Sequence, residues 1–176
     1  MYKFSETQRK AIKAAIITKD LDKNSKKILI EMLGDDNFEE SKEVELYVDG
    51  AADLHSKTAG IGGVIYLEGV EISSFSEPLI EKTNNEAEYL ALIKGIKVLH
   101  EIKILKAIIY SDSELIVKQV LGEYQIKNLR MKKLHARVLS QLDNLDNWSI
   151  NHVKREKNVR ADELSKIGLK IAKDSK

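Results

Sequence analysis

The chain has no cysteine and a single proline among its 176 residues. A disulfide scaffold, a thiolate zinc site and a cysteine nucleophile are therefore excluded. No apolar run is long enough to span a bilayer, and the opening MYKFSETQRK lacks the apolar stretch of a signal peptide. The expectation is a cytoplasmic protein with no membrane partner. An excess of charge of either sign is also missing: the net charge is +1. That balance neither supports nor excludes a nucleic-acid partner, because local clustering outweighs the total. What is present is an apolar fraction of 43%, ample for a core, beside 32% charged residues. Length favours one domain with a small appendage.

Residues 1–42 differ from the rest. They read as two short helices, the first capped by Ser5 with Ala11, Ile12, Ala15 and Ile16 on one face. The second carries Lys26, Ile28, Leu29 and Leu33 and is stopped by Gly34. An acidic linker, DDNFEESKE, follows. From residue 44 the pattern becomes α/β. Val44, Leu46 and Val48 alternate with Glu45 and Tyr47, which marks a strand. A loop with Gly60, Gly62 and Gly63 is expected to lead into a second strand at Val64–Leu67. Glu68-Gly69 reads as a hairpin turn into a third, Val70–Phe75. Thr83 and Asn84 precede a long helix with Leu92, Ile93, Ile96 and Leu99 as its apolar stripe. Ala107–Tyr110 reads as a strand buried on both faces. Helices are expected from Ser113 to Leu121 and from Leu129 to Leu145, then a strand at Trp148–Val153 and a helix at Val159–Ile171. The first three strands should form an antiparallel meander, with the last two parallel to the first.

Four acidic residues fall at ends of these elements. Asp49 follows the first strand in EVELYVDG, Glu88 lies one turn into the helix in TNNEAEY, Asp112 follows the fourth strand in IIYSDSELIV, and Asp162 opens the last helix in NVRADELSK. Each alone has a bland reading as a turn, a solvated helix residue or a cap. Together, at one carboxyl edge of a sheet, they repel one another unless hard cations compensate. Oxygen-only ligands select Mg²⁺ or Mn²⁺ over zinc, and two such ions make a phosphodiester-cleaving site.

In the order YVDG, glycine-containing hairpin, TNNEAEYLAL, SDSELIVKQ and ADELSK, residues 43–172 resemble a type 1 ribonuclease H domain. TNN-x-x-E is the most specific of these motifs. The resemblance implies a mixed five-stranded sheet with strand two antiparallel, flanked by helices. It makes 43–176 the catalytic domain and 1–42 a helical extension with an acidic linker. It implies metal-dependent endonucleolytic cleavage of RNA in an RNA–DNA hybrid, leaving a 5′-phosphate and a 3′-hydroxyl. Position by position, Asp49, Glu88, Asp112 and Asp162 match the metal-binding carboxylates. Asn84 and Asn85 match positions that meet the backbone and the RNA 2′-hydroxyls, although simple helix capping explains them equally well. Thr83 matches a DNA-phosphate contact, and Gly50 lets backbone approach the strand. Glu86 is read as non-catalytic.

Three departures from the family's pattern stand out. The loop before Asp162 is short, REKN (155–158), and has no histidine; it resembles the branch lacking that residue, and Glu156 is the candidate to assist instead. His152, just before it, reads as a packed or edge residue. The basic protrusion is missing, so substrate grip falls to Lys127, Arg130, Lys132, Lys133 and Arg137, or to the basic residues of 1–27. His55 and Glu114 occupy positions where the family often has asparagine and glutamine. The alternatives are a nuclease of the same fold acting on double-stranded RNA, and a non-catalytic nucleic-acid-binding module. Oligomeric state is not legible. The segment 1–42 lacks the aromatic residues of the hybrid-binding domain that some relatives carry.

Overall fold

The computed structural model describes residues 4–17, 21–33 and 43–175. Two helices come first, α1 (Glu6–Ile17) and α2 (Lys23–Leu33). Ser5 caps α1 reciprocally: its hydroxyl accepts from the Gln8 N–H while the Gln8 side chain accepts from the Ser5 N–H. Ile12, Ile16, Leu29, Ile30 and Leu33 form a small core between the pair. Ala11 and Ile28 point outward rather than into it. Two helices of three turns bury only one narrow stripe each. The predicted stop at Gly34 and the acidic linker up to residue 42 lie outside the described residues, and the linker's last residue, Glu43, opens the first strand.

The remaining elements are β1 (Glu43–Asp53), β2 (Thr58–Leu67), β3 (Val70–Ile80), α3 (Asn84–Glu101), β4 (Lys106–Ser111), α4 (Glu114–Val120), α5 (Leu129–Leu142), β5 (Asn147–His152) and α6 (Val159–Asp174). They form one five-stranded mixed sheet in the order β3-β2-β1-β4-β5. β1 pairs antiparallel with β2 and parallel with β4, while β4 pairs parallel with β5. The meander, the parallel pairs and the antiparallel second strand are as the sequence predicts.

Alternation along β1 divides the sheet into two faces. Val44, Leu46 and Val48 meet α3, whose Gly95 lies against Leu46 and Val48. Leu92, Ile93, Ile96 and Leu99 of α3 are all buried in the same core. Glu45, Tyr47 and Asp49 fall on the opposite face by the period-two rule. There α6 runs chiefly over β2, β3 and β1.

Several boundaries differ from the sequence reading. Gly60, Gly62 and Gly63 lie inside β2, not in a loop. Their smallness serves packing: a Cβ on Gly60 would come within 2.1 Å of the Leu169 nitrogen, and one on Gly62 within 2.3 Å of the Ser165 nitrogen. The glycines thus let α6 lie directly on the strand. β1 does not end at Asp49 but continues to Asp53, because β2 keeps pairing there after the ladder to β4 stops at Val48 and Ser111. β3 extends five residues past Phe75, to Ile80, along the full length of β2. β4 is sealed on one face only: Ala107, Ile109 and Ser111 are buried, whereas Ile108 and Tyr110 are half-covered. The β2–β3 turn does form at Glu68-Gly69, with φ of 50° and 78°, as a two-residue hairpin requires. On this turn Lys13 of α1 pairs with Glu68 at 3.1 Å.

Candidate active site

The start of α3 is built by a capping box. Thr83 accepts from the Glu86 N–H through its hydroxyl, and the Glu86 carboxylate accepts from the Thr83 N–H at 2.9 Å. The Thr83 hydroxyl also donates to Glu86 at 2.9 Å. Thr83 is thereby committed to the helix start, and Glu86 has a structural task, reinforced by Arg130 at 3.5 Å. Because Thr83 does the capping, the side chains of Asn84 and Asn85 remain exposed. One turn later Glu88 turns inward, with Asn84 3.5 Å from its Oε1. Gly50 makes this possible: a Cβ there would sit 2.3 Å from the Glu88 nitrogen.

Asp49, Glu88 and Asp112 converge. One carboxylate oxygen from each lies within 4.8 Å of the other two. Ser165 of α6 donates to Asp49. Asn158, fully buried, donates through Nδ2 to Asp112 at 3.1 Å and to the Val48 carbonyl at 3.0 Å. It therefore ties the loop before α6 to the ends of both β1 and β4. Asp162 is not one of the three whose oxygens converge; Arg155 and Lys166 both pair with it. Its charge still reaches Asp49.

The electrostatics follow from this layout. Burial, with the charges of Asp49 and Asp112, pushes Glu88 up to about 9. Burial also raises Asp49, to about 6, with Asp112 and Asp162 adding to it and the Ser165 hydrogen bond opposing. For Asp162 burial acts upward, but the bonds from Lys166 and Arg155 outweigh it and hold the carboxyl below the usual range. Glu88 Oε2 is buried and has no hydrogen-bond partner among the described residues. A buried acceptor without a donor, in an all-oxygen cluster with repelling charges, fits a hard divalent cation. Asp49, Glu88 and Asp112 are the residues able to hold one.

Other predicted site residues lie further out. Glu114 is exposed and paired with Lys118 at 2.7 Å. Glu156 is exposed in a turn of 3-10 helix, Arg155–Lys157, and no contact to the trio is seen among the described residues. Lys127, Arg130, Lys132, Lys133 and Arg137 are exposed at and beyond the start of α5, and the Arg130–Glu86 pair puts that end of α5 beside the start of α3. His152 is an exposed edge-strand residue, and His55 is exposed in the β1–β2 turn. Four contributors escaped the sequence reading: Arg155, Asn158, Ser165 and Lys166. A local signal existed for two of them, since Ser165 and Lys166 fall three and four residues after Asp162, on its side of the helix.

The class defined by this fold and cluster is also the class of its relatives. A "Reverse transcriptase-like" family model matches residues 47–168. Ribonuclease HI of Halobacterium salinarum is 34% identical over 129 residues, covering 72% of this chain and 64% of that protein. The chain thus spans a little under two thirds of that relative's length. Ribonuclease H of Caldicellulosiruptor saccharolyticus is 31% identical over 132 residues, covering 66% and 82% of the two chains. The solved structure of LC11-RNase H1 in complex with RNA/DNA hybrid superposes with a TM-score of 0.69 at 35% identity, over 73% of this chain and 98% of that one. The chain belongs to the type 1 ribonuclease H family. No helix among the described residues is long and apolar enough to cross a membrane.

Proposed function

We propose that this protein is an endoribonuclease that hydrolyses the RNA strand of RNA–DNA hybrids, leaving 5′-phosphate and 3′-hydroxyl ends. The observation that carries the reading is the trio Asp49, Glu88 and Asp112, with oxygens within 4.8 Å and a buried Glu88 Oε2 that has no hydrogen-bond partner among the described residues. A pure binding module has no use for clustered carboxylates beside phosphates. These three residues, with Asp162 as the fourth, would hold two Mg²⁺ or Mn²⁺ ions. When bound, such ions acidify an attacking water and stabilise the leaving oxygen of an in-line displacement.

The chain's own residues prepare the site. Ser165 and Asn158 fix the orientations of Asp49 and Asp112, and partners of this kind typically govern ligand affinity. Arg155 and Lys166 keep Asp162 ionised and reduce the repulsion it adds. The exposed amides of Asn84 and Asn85 can donate to and accept from a 2′-hydroxyl, the group that separates RNA from DNA. Gly50 brings the start of α3 against β1, and with it those amides. Lys127, Arg130, Lys132 and Lys133 supply cations for the phosphate backbone in place of the missing protrusion. The solved complex of LC11-RNase H1 with an RNA/DNA hybrid supports this substrate class.

The test is cleavage of end-labelled RNA–DNA hybrid, duplex RNA and duplex DNA, each with Mg²⁺, Mn²⁺ or EDTA. Metal-dependent cutting of the RNA strand of the hybrid is expected. Preferential cutting of duplex RNA would move the substrate class. No cutting of any substrate by folded protein would leave a binding module.

A further inference from the structure

Below the acidic cluster, on the sheet face that carries α6, lies a cavity of about 380 Å³ that the proposed cleavage does not use. Its volume falls within the ~300–1,000 Å³ usual for small-molecule sites. Parallel strands ordinarily have both faces covered. Here α6 lies chiefly over β1–β3, and the side of β1 below Asp49 stays half-open.

The floor of the cavity is aromatic. Tyr47 and Tyr66 meet edge to face, with ring centroids 5.9 Å apart at 79°. Tyr110 stacks on Tyr47 at 4.6 Å and 22°, which stiffens that ring. Glu45 lies opposite Tyr66 in the β1–β2 register and two residues before Tyr47, on the same face. No cation among the described residues pairs with its carboxylate. The facing wall is the start of α6 and the turn that leads into it. Lys157 is exposed there, with no ion pair among the described residues, and Arg160 is held at 3.3 Å by Glu71 and by Glu163. The first turn of α6 has no side-chain cap, so its N–H groups favour an anion. Asn158 borders the cavity and also holds Asp112.

A simple cation would satisfy Glu45 and be repelled by Lys157. A simple anion would do the reverse. A ligand with a flat, donor-bearing ring at one end and an anion at the other satisfies both walls and the floor. We propose that this cavity binds a purine nucleoside monophosphate. Its base lies on the Tyr47–Tyr66 wedge and donates its edge N–H hydrogens to Glu45. Its phosphate meets Lys157 and the start of α6. Guanine fits best, since its two adjacent N–H donors match the two oxygens of one carboxylate. The site is separate from the metal cluster, with Asn158 as the physical link between them.

The test is an amide chemical-shift titration of the full chain with guanosine 5′-monophosphate in EDTA, which removes any metal-bridged binding at the carboxylates. Inorganic phosphate and guanosine are titrated separately. Saturable shifts at Tyr66, Gly69 and Lys157 are expected. Glu45→Gln and Lys157→Ala should each weaken binding about tenfold, the loss of one charged hydrogen bond. Neither half-ligand should match the whole. The proposal is overturned by absence of saturable shifts in the millimolar range, by shifts centred on Gly50 and Glu88, or by wild-type binding in both variants. Phosphate alone binding as well as the nucleotide would reduce the cavity to an anion site. Lys157 is exposed, so its variant remains informative even if Glu45→Gln perturbs the strand. Because no metal and no cleavage enter the readout, failure here is distinguishable from failure of the nuclease reading.

Discussion

Glu88 is the residue in which fold and chemistry are most directly opposed. Its folded-state carboxyl is pushed up from an ordinary value of 4.5 to about 9 by burial and by Asp49 and Asp112. A raised value contributes stability that is complete below the ordinary value and is lost as pH rises through the folded one. The metal-free protein should therefore lose stability between pH 5 and pH 9, by roughly 2 kcal/mol or more. Asp49, raised to about 6, adds to the loss at the lower end. Urea unfolding in EDTA across that range checks the sign; Glu88→Gln should flatten the dependence, and an equally steep curve in the variant would refute the assignment. Asp112→Asn should abolish hybrid cleavage, by at least about 10³-fold, because a cation ligand is lost. Its circular dichroism and unfolding midpoint should stay near wild type; full retained activity would rule the residue out. Asn158→Ala should raise the metal concentration needed for half-maximal activity by ~10–100-fold, as loss of an outer-shell partner does.

Elements carry a different kind of constraint. α6 reaches the site only because β2 presents no side chains at Gly60 and Gly62, whose Cβ atoms would meet α6 backbone at 2.1 and 2.3 Å. Backbone cannot yield as a flexible side chain does, so Gly62→Ala should destabilise the fold by about 3 kcal/mol, at the upper end of overpacking costs. It should also impair cleavage, because Ser165 and Asp162 move with the helix. Gly69→Ala is the control: it lies in open space with φ of 78° and should cost only ~1 kcal/mol from backbone strain. Equal losses in the two variants, measured by thermal unfolding, would refute the packing argument. The glycine-rich stretch reads as a loop from sequence alone because glycine is a turn residue by default. A close-packed helix that arrives a hundred residues later leaves no local mark.

At the scale of the whole molecule, two cores are separate: one around the sheet, the other confined to α1 and α2. The helix pair leans on the β2–β3 turn through Lys13 and Glu68 at 3.1 Å, a contact of modest worth on a partly exposed surface. A chain of residues 43–176 should accordingly fold by itself and keep cleavage within about threefold of the full protein. Insolubility, or a loss beyond tenfold, would make residues 1–42 part of the working unit.

The chain order of the carboxylates, the Ser5 cap of α1, the alternation in β1 and the strand directions were legible because each rests on short-range periodicity or on topology rules, whereas the cap of α3 falls to Thr83 and not to the two asparagines after it. The family motifs placed Asp49, Glu88 and Asp112, which the fold then gathers within 4.8 Å. What joins them was not legible. Ser165 bonds Asp49 across 116 positions, and Asn158 bonds Val48 across 110. Arg155 and Lys166 pair with Asp162, and the tyrosine face stays half-open because α6 lies elsewhere. Local sequence determines which elements form and what chemistry each carries. Which side chains meet across the sheet is decided only when distant segments pack, because a hydrogen bond or a close approach depends on where both partners stand.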